Sequence, residues 1–504
     1  MITLSILIVI ALICALVGCL MGLFSLVGLL ASLVIGVLVG GLFTCGFAPV
    51  ATLDTIVNDG LIAAISGNAG IFLFLVLLGI IVALVNAAGG SAAFGRWAET
   101  HIKTHAGAQL ATFVLGILIF IDDYFNCLTV GTVMRPVTDK HKITRAKLAY
   151  IIDATAAPIC IIAPISSWAA AVGSSLPEDS GVDGFSLFLH TIPFNLYALL
   201  TICFMLFLVA GDFDFAAMKR YEEQVKKTGK ETTVEAEAME ISGNGKVIDL
   251  ILPILVLIAF CVSGMLYTGG ILDGVGLVEA FANCDSALSL VLGSFFTLVF
   301  IFAFYMIRRV IRFNEFCESF TIGVKAMIPA IMILCLAWTL SGICSADYLN
   351  IGGYVKEVVG GNALVGSLMP ALMFVIAAGL AFSTGTSWGT FGILLPIAFA
   401  VVGAENMNSL TIVTASILAG AVCGDHVSPI SDTTILASAG AQCHHINHVS
   451  TQIPYVLCVA ACCFLGYLAA GITANGWVGT GVGFAALIVV LVILDRKNKG
   501  TKEA

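Results

Sequence analysis

The stretch from Cys423 to Thr434, CGDHVSPISDTT, places polar side chains inside an apolar segment long enough to cross a membrane. It holds two carboxylates, Asp425 and Asp432, and long apolar runs flank it on both sides. Charge at membrane depth is costly and usually marks an ion or substrate pathway. Pro429 has no backbone N–H and interrupts regular helix, so neighbouring carbonyls lose their usual partners. The stretch therefore predicts a broken membrane helix of the kind found in transporters, with a polar loop between two short helices as the alternative.

The composition supports a membrane protein that crosses the bilayer many times. Hydrophobic residues make up 60% of the 504 residues and charged residues 11%, whereas soluble domains carry about 25% charged residues. No basic patch points to nucleic acid. The 16 cysteines lack CxxC spacing, which predicts buried free thiols rather than disulfides or a metal site. Met1 leads directly into an apolar run, which we interpret as a first span rather than a cleaved signal peptide.

Hydropathy places full or broken spans along the whole chain. We expect them near 2–20, 23–44, 61–88, 148–172, 187–210, 248–268, 287–307, 319–343, 410–437, 453–472 and 477–494. Two further apolar blocks, 107–134 and 363–402, are interrupted at their centres by IDDYFN and FSTGTSWGT. If both blocks are re-entrant hairpins that enter from opposite sides, all strongly basic loops lie in the cytoplasm, as the positive-inside rule requires.

These expectations give an all-α polytopic membrane protein with two inverted-topology repeats, 1–210 and 248–472. Each repeat has a re-entrant hairpin (107–134 or 363–402) and a broken transmembrane helix. The charged segment 211–247 is expected to be a cytoplasmic linker, either a soluble helix or a disordered segment. Residues 473–504 add an extra helix and a basic cytoplasmic tail. Short echoes between the halves, such as APISSW (163–168) and SPISDT (428–433), support the repeat.

The hairpin tips and broken helices supply the candidate site, because Na⁺ is a hard cation that prefers carboxylate, hydroxyl and carbonyl oxygens. A buried carboxylate can also exchange a cation for a proton. The candidate ion- or substrate-binding residues are Asp122, Asp123, Asn126, Thr129, Asp153, Ser166, Ser383, Thr384, Thr386, Ser387, Asp425, Ser428, Ser431, Asp432 and Thr433. The Na⁺ candidates among them are Asp425, Ser428 and Asp432. In a continuous helix the two aspartates would share one face, two turns apart.

Several of these side chains have alternative interpretations. Some of the aspartates could form structural ion pairs with Arg135, Arg145 or Lys325. The tip around 383–387 suits an anionic group as well as Na⁺, and Trp168 and Trp388 are either platforms for a ligand or packing residues. His426 is a candidate proton relay or pH sensor. The spacing of His444, His445 and His448 is compatible with a metal site, but we expect them in a cytoplasmic loop.

Three long motifs resemble the NhaC family of sodium/proton antiporters. They are DDYFNCLTVGTVMRPVTDK, YIIDATAAPICIIAPISSW and CGDHVSPISDTT with the later HHINHVSTQIPY. The resemblance implies a homodimer with a scaffold part and a moving transport part, in which a hairpin and a broken helix from each repeat meet at the ligand site. Some relatives resemble exchangers of malate for lactate or carriers of amino acids.

The expected function is therefore a sodium-coupled secondary active transporter of the cell membrane, working as a Na⁺/H⁺ antiporter by elevator-like alternating access. The alternative is a Na⁺- or H⁺-coupled carrier or exchanger of a small carboxylate, of the malate/lactate type, or of an amino acid. Na⁺ and H⁺ are the expected coupling ions, without a cofactor, and lipid surrounds the protein. The sequence has neither a Walker A motif nor HExxH, and no filter motif recurs, which argues against an ATP pump, a zinc protease or a channel.

Overall fold

The structure is a computed structural model that describes most of the chain. The described residues are 34, 37–42, 44–67, 69–120, 123–164, 166–173, 175, 182–229, 231, 245–276, 280, 284–343, 363–429 and 431–503. The expected spans 2–20 and, for the most part, 23–44 lie outside them, as does Asp122.

The described secondary structure is helical throughout. In the first half the α-helices are α1 (Pro49–Asp54), α2 (Ala63–Gly67), α3 (Ala69–Ala87), α4 (Gly90–His101), α5 (His105–Leu118), α6 (Asp123–Lys140), α7 (Arg145–Thr155), α8 (Ala157–Cys160), α9 (Ser167–Gly173), α10 (Gly184–Thr191) and α11 (Leu196–Gly211). A π-helix (Thr55–Ile62) joins α1 to α2, and a 3₁₀ turn (Ile192–Phe194) follows α10.

The linker contributes α12 (Ala216–Thr228), and the second half continues the helical pattern. Its α-helices are α13 (Ile248–Thr268), α14 (Ser286–Arg308), α15 (Phe313–Ile343), α16 (Ala363–Thr384), α17 (Ser387–Val402), α18 (Met407–Val427), α19 (Asp432–Ala441), α20 (His445–Thr473) and α21 (Gly476–Glu503). Short 3₁₀ turns follow α13 (Ile271–Asp273) and α17 (Ala404–Asn406).

Polar caps explain where several helices begin. Thr104, Thr144 and Asn195 each accept a hydrogen bond from a backbone N–H in the first turn of α5, α7 and α11. Thr386 and Ser431 do the same for α17 and α19. Such a cap satisfies one of the N–H groups that have no partner within the helix, which allows a helix to begin at membrane depth without water.

Seven described helical segments are long and apolar enough to cross a membrane. They comprise α11 with its continuation into α12, and α13, α14, α16, α18, α20 and α21. Of the most apolar stretch of 18 residues, 83% is buried in the segment of α18 and 22% in that of α21. The first of these two helices is therefore central, and the second lies at the edge, where lipid can cover it. The expectation of an all-α, multi-pass membrane protein is confirmed.

The helices pack in two groups. In the scaffold group, defined as α3, α13, α14 and α15, α3 packs against α14 and α15, and α13 packs against α14. In the site group, defined as α5–α12 and α16–α21, α18 packs against α16, α17 and α20, and α19 packs against α6 and α7. The two groups meet mainly where α15 contacts α17. Helix α4 belongs to neither group and contacts both, through α3 and α13 on one side and α6 on the other.

Both expected hairpin blocks consist of two helices around a central break. Residues 119–122 separate α5 from α6, and Gly385 with Thr386 separates α16 from α17. Gly385 has φ +69°, a left-handed conformation that glycine adopts without strain. That both blocks are re-entrant hairpins, and that the two repeats are inverted relative to each other, stay predictions.

One expected span differs from the structure, and part of the linker follows one of its two expected alternatives. The span 187–210 is divided into α10 and α11, because Pro193 lacks a backbone donor and the side chain of Asn195 caps a new helix. Part of the expected linker is an ordered helix, α12, which packs against α20 and buries Met218 and Glu222.

Candidate functional site

The second broken helix has its break where the proline predicts it. Helix α18 ends at Val427, Ser428 is extended at ψ 125°, and α19 begins at Asp432. The expected arrangement of Asp425 and Asp432 on one face of a continuous helix does not apply. Asp425 lies near the C-terminal end of α18, and Asp432 is the first residue of α19. Of Asp432 the structure describes the backbone alone.

Asp425 is fully buried and bound by a hydroxyl from beyond the break. Its Oδ2 accepts a hydrogen bond from Thr433 Oγ1 at 2.6 Å. The hydroxyl of Thr433 is 3.0 Å from Ser431 Oγ, which also caps α19 through Thr434 N. One carboxylate and two hydroxyls therefore surround the gap between the two helix halves.

The first-half counterpart, Asp153, lies at the end of another broken helix. Helix α7 ends at Thr155, and Ala156 departs from helical geometry with ψ −95°. Pro158, in the short α8, cannot donate to the preceding turn. The break in the first half therefore has the same physical cause as the one in the second half.

Asp153 is fully buried and faces four side chains from the second half. Its Oδ2 accepts hydrogen bonds from Gln452 Nε2 at 2.8 Å and from Thr434 Oγ1 at 3.2 Å. His448 Nε2 lies 3.3 Å from the same oxygen, and His426 Nε2 lies 3.8 Å from Oδ1. Thr434 Oγ1 is also 3.4 Å from the backbone oxygen of the residue Asp425. The two broken helices thus share one buried polar network, named here the carboxylate network.

The histidines lie elsewhere than we expected. The prediction of a loop is wrong for His445 and His448, because α20 begins at His445 and His448 is buried against Asp153. His444 is exposed and lies in the turn before α20. Within the described residues, no group of three His, Cys, Asp or Glu side chains is placed to hold a metal ion. His426 Nδ1 lies 3.0 Å from the hydroxyl of Tyr197 on α11.

The first hairpin packs against both broken helices. Asn126 Nδ2 donates to the carbonyls of Gly116 at 2.7 Å, Ile119 at 3.0 Å and Thr155 at 3.2 Å. This amide satisfies carbonyl groups left by the ends of α5 and α7. Asp123 and Thr129 are buried on the same helix, α6.

Helix α6 also approaches α19 closely. A Cβ on Gly131 would lie 2.3 Å from the backbone carbon of Gly440, so only glycine fits there. Cys127 Sγ is 3.6 Å from the carbonyl oxygen of Thr433. Helix α6, which carries the predicted residues Asp123, Asn126 and Thr129, therefore lies beside the carboxylate network.

The second hairpin reaches α18 beside Asp425. Ser428 Oγ donates to Phe382 O at 2.8 Å, and Ser387 Oγ donates to Ala421 O at 3.3 Å, one turn before Asp425. Thr386 caps α17 by accepting from Gly389 N at 3.3 Å. The described bond of Ser383 Oγ is to its own helix, at Leu380 O, 2.9 Å away. Of Thr384 the structure describes the backbone alone.

Ser166 and the basic residues have structural partners. Ser166 Oγ donates to Cys160 O and Ala163 O at 2.8 and 3.0 Å, which holds the turn between α8 and α9. Arg145 binds Asp139 at 2.7 Å instead of one of the candidate aspartates. The partners described for Asp153 are therefore imidazole, hydroxyl and amide groups rather than arginine or lysine.

Sequence reasoning missed Gln452 and Tyr197, and it placed His448 away from Asp153. A signal was present for two of them. His448 and Gln452 are four residues apart, one helical turn, at the start of an apolar segment. Polar residues on one face of a membrane helix point toward the protein interior.

Comparisons with known proteins agree with this architecture. A sequence profile described as the Na⁺/H⁺ antiporter family matches residues 159–472. An uncharacterised protein of Haemophilus influenzae is 39% identical over 484 residues, which is 93% of this chain and 92% of that protein. The malate-2H⁺/Na⁺-lactate antiporter of Bacillus subtilis is 30% identical over 149 residues, 29% of this chain and 31% of that protein.

A solved structure has a similar fold. The YdaH transporter of Alcanivorax borkumensis matches with a TM-score of 0.54 and 12% identity, over 86% of this chain and 89% of the transporter chain. At that identity the similarity concerns the fold alone. The family profile, in contrast, covers more than half of the sequence and includes α18, α19 and α20. The chain therefore belongs to the Na⁺/H⁺ antiporter family and is a multi-pass membrane protein that works by secondary antiport.

Proposed function

We propose that the protein exchanges Na⁺ for H⁺ and that both ions are neutralised in turn by the carboxylate network. The observation that carries the proposal is the meeting of Asp153 and Asp425, each at the break of its own helix. Thr434 lies within hydrogen-bonding distance of both residues, at 3.2 Å from Asp153 Oδ2 and 3.4 Å from the backbone oxygen of Asp425.

The chemistry of the break suits a hard cation. Asp425, Ser431 and Thr433 supply carboxylate and hydroxyl oxygens within one chain of hydrogen bonds. Pro429 leaves further backbone oxygens without a helical partner. Oxygen ligands of this kind are the ones that Na⁺ prefers. We therefore place the proposed Na⁺ site at the break between α18 and α19, with Ser428 and Asp432 at its two edges.

The burial of the carboxylates accounts for the coupling of Na⁺ transport to H⁺ transport. An ionised carboxylate away from water is expensive, and either a bound cation or a proton removes that cost. Na⁺ and H⁺ therefore compete for the same negative charge. The site binds one of them on each side of the membrane, which gives exchange rather than leak.

The proposed mechanism is elevator-like alternating access. Its support is the division of the helices into the scaffold group and the site group, because the carboxylate network lies wholly within the site group. The site group would carry the ions across while the scaffold group stays fixed. In this proposal 107–134 and 363–402 are re-entrant hairpins of inverted repeats, and the scaffold group forms the contact of a homodimer.

Flux measurements in proteoliposomes test this proposal. With the purified protein and a pH-sensitive dye inside, an imposed Na⁺ gradient should drive proton movement in the opposite direction. Asp425→Asn and Asp153→Asn should each abolish the flux, because an amide neither takes up a proton nor balances Na⁺. Asp273→Asn, at an exposed turn, is the control and should behave like the wild type. Unchanged exchange in the Asp153→Asn, Asp425→Asn double variant would move the ion site elsewhere.

A further inference from the structure

We propose that the contact between Trp168 and Trp388 is a binding subsite for the carboxylate of a small organic solute, which the protein carries together with its coupling ion. The proposal rests on the Na⁺-coupled antiport proposed above and adds to it a class of solute. It concerns side chains outside the carboxylate network.

The two tryptophans bring the two halves of the chain together. Each is the second residue of its helix, α9 or α17. Their rings meet edge to face, with centroids 5.8 Å apart and planes at 70°. Phe391 lies beside both rings, at 5.5 and 6.2 Å. The exposed fractions are 0% for Trp168 and 3% for Trp388.

Packing alone does not account for the polar atoms of this contact. The indole Nε1 of Trp168, that of Trp388 and the hydroxyl of the adjacent Ser167 are buried, and none has a hydrogen-bond partner among the described residues. An indole nitrogen can only donate, and leaving a buried donor unpaired is costly. A phenylalanine would supply an aromatic ring at either position without that cost. Two such donors side by side indicate that their partners are acceptor atoms of a ligand.

The surroundings favour a negatively charged acceptor. Trp388 lies in the first turn of α17, a 16-residue helix capped by Thr386. The N-terminus of a helix carries partial positive charge and attracts anions. A carboxylate offers two acceptor oxygens and a negative charge, and the apolar part of a small solute can contact the three aromatic rings.

The position of this subsite explains coupling to the cation. Ser387 donates to Ala421 O at 3.3 Å, which fixes the start of α17 one turn before Asp425 on α18. The four residues from Ala421 to Asp425 span about 6 Å along the helix axis. A cation bound at Asp425 would therefore offset the charge of a carboxylate bound at the tryptophans. The family relative named for malate and lactate suggests the probes for a test.

The test measures uptake of labelled L-malate and L-lactate by proteoliposomes, with and without a Na⁺ gradient. The wild type should take up at least one of them in a Na⁺-dependent way. Trp168→Phe and Trp388→Phe keep an aromatic ring but remove the donor N–H along with part of the indole, and each should raise the KM for the solute about tenfold, which is about 1.4 kcal/mol. Trp477→Phe, on an exposed side chain, is the matched control and should leave the KM unchanged.

A spectroscopic measurement tests the subsite without transport. With Trp97, Trp338 and Trp477 replaced by Phe, only the two buried indoles emit, and lactate should change their fluorescence, whereas its neutral methyl ester should not. Equal effects of lactate and the ester would overturn the carboxylate assignment. An unchanged KM in both Phe variants, or Na⁺/H⁺ exchange without binding of either acid, would overturn the subsite alone. Uptake of the acid without any dependence on Na⁺ would support the subsite and overturn the proposed Na⁺ coupling instead.

Discussion

At the scale of single residues, the two buried carboxylates have different neighbours. Asp425 receives a hydrogen bond from the hydroxyl of Thr433, whereas Asp153 lies among imidazole, amide and hydroxyl groups. Gln452 is central to the second arrangement, because its Nε2 also donates to the backbone oxygen of His426 at 2.5 Å. This amide therefore holds α20 to both broken helices and orients the carboxylate of Asp153.

Replacing Gln452 should weaken ion binding without removing either carboxylate. A hydrogen bond to a charged group contributes about 1.5–3 kcal/mol, so Gln452→Leu should raise the Na⁺ concentration for half-maximal exchange by about 10- to 100-fold. Dye-based exchange assays at a series of Na⁺ concentrations measure this. Ser450→Ala, on an exposed face of the same helix, is the control. Half-saturation at the wild-type concentration in Gln452→Leu would show that the amide has no such role.

Sequence reasoning found one side of this site better than the other. Aspartates and a proline inside apolar segments made Asp153 and Asp425 candidates, because charge at membrane depth is rare and informative. Gln452 and Tyr197 are uncharged polar residues of a kind that also occurs in ordinary helix packing. Their role depends on which helices are neighbours in space, and no local pattern records that.

At the scale of helices, close backbone contacts hold the broken helices in place. Gly424 precedes Asp425, and a Cβ there would lie 2.0 Å from the backbone oxygen of Ala378 on α16. Gly379, the next residue of α16, has open space around it, with no heavy atom within 4 Å of an added Cβ. The two glycines therefore differ in what they contribute to the same pair of helices.

This difference predicts that replacing glycine by alanine has opposite effects on stability at the two positions. Gly424→Ala should force α16 and α18 apart and lower the thermal unfolding midpoint in detergent by several degrees. Gly379→Ala should leave the midpoint unchanged or raise it, since alanine favours helix over glycine by about 1 kcal/mol. Thermal melts followed by intrinsic fluorescence provide the comparison. Equal midpoints for the two variants would contradict the described contact between these helices.

The linker also has a structural role at the level of helices. Glu222 on α12 accepts a hydrogen bond from Thr144 Oγ1 at 2.7 Å, and Glu231 accepts from Arg145 N at 2.7 Å. Lys147 forms a buried ion pair with Asp214, where the linker begins. These contacts fix the start of α7, the helix that ends near Asp153. Residues 230 and 232–244 of the linker lie outside the described residues.

Two changes to this segment should therefore have different results. Glu222→Ala removes a buried acceptor at the start of α7 and should cost roughly 1–3 kcal/mol of stability, measured by thermal or denaturant unfolding. Glu223→Ala, on the exposed side of the same helix, should cost nothing measurable. Deleting 233–240 should leave Na⁺/H⁺ exchange measurable. Loss of exchange in that deletion, with the protein still folded, would assign a gating role to the segment.

At the scale of the whole molecule, the class of fold and the break between α18 and α19 followed from the sequence. Proline together with charged and hydroxyl side chains located that break, because proline lacks a backbone N–H and the polar groups replace helical partners. Proline alone is not sufficient, since Pro193 divides a span that we expected to be continuous, whereas Pro253 and Pro454 lie inside continuous helices. The arrangement of the scaffold and site groups could not be predicted in this way. It depends on which apolar faces meet, and nearly every face of these helices is apolar.

The central claim is that Na⁺ and H⁺ compete for the carboxylates of Asp153 and Asp425. Calorimetric titration of the purified protein with Na⁺, repeated in two buffers with different ionisation enthalpies, measures the protons released on binding. We expect proton release in the wild type and in Asp273→Asn, and neither binding nor release in the Asp153→Asn, Asp425→Asn double variant. Na⁺ binding to the wild type without proton release, or undiminished release from the double variant, would contradict it.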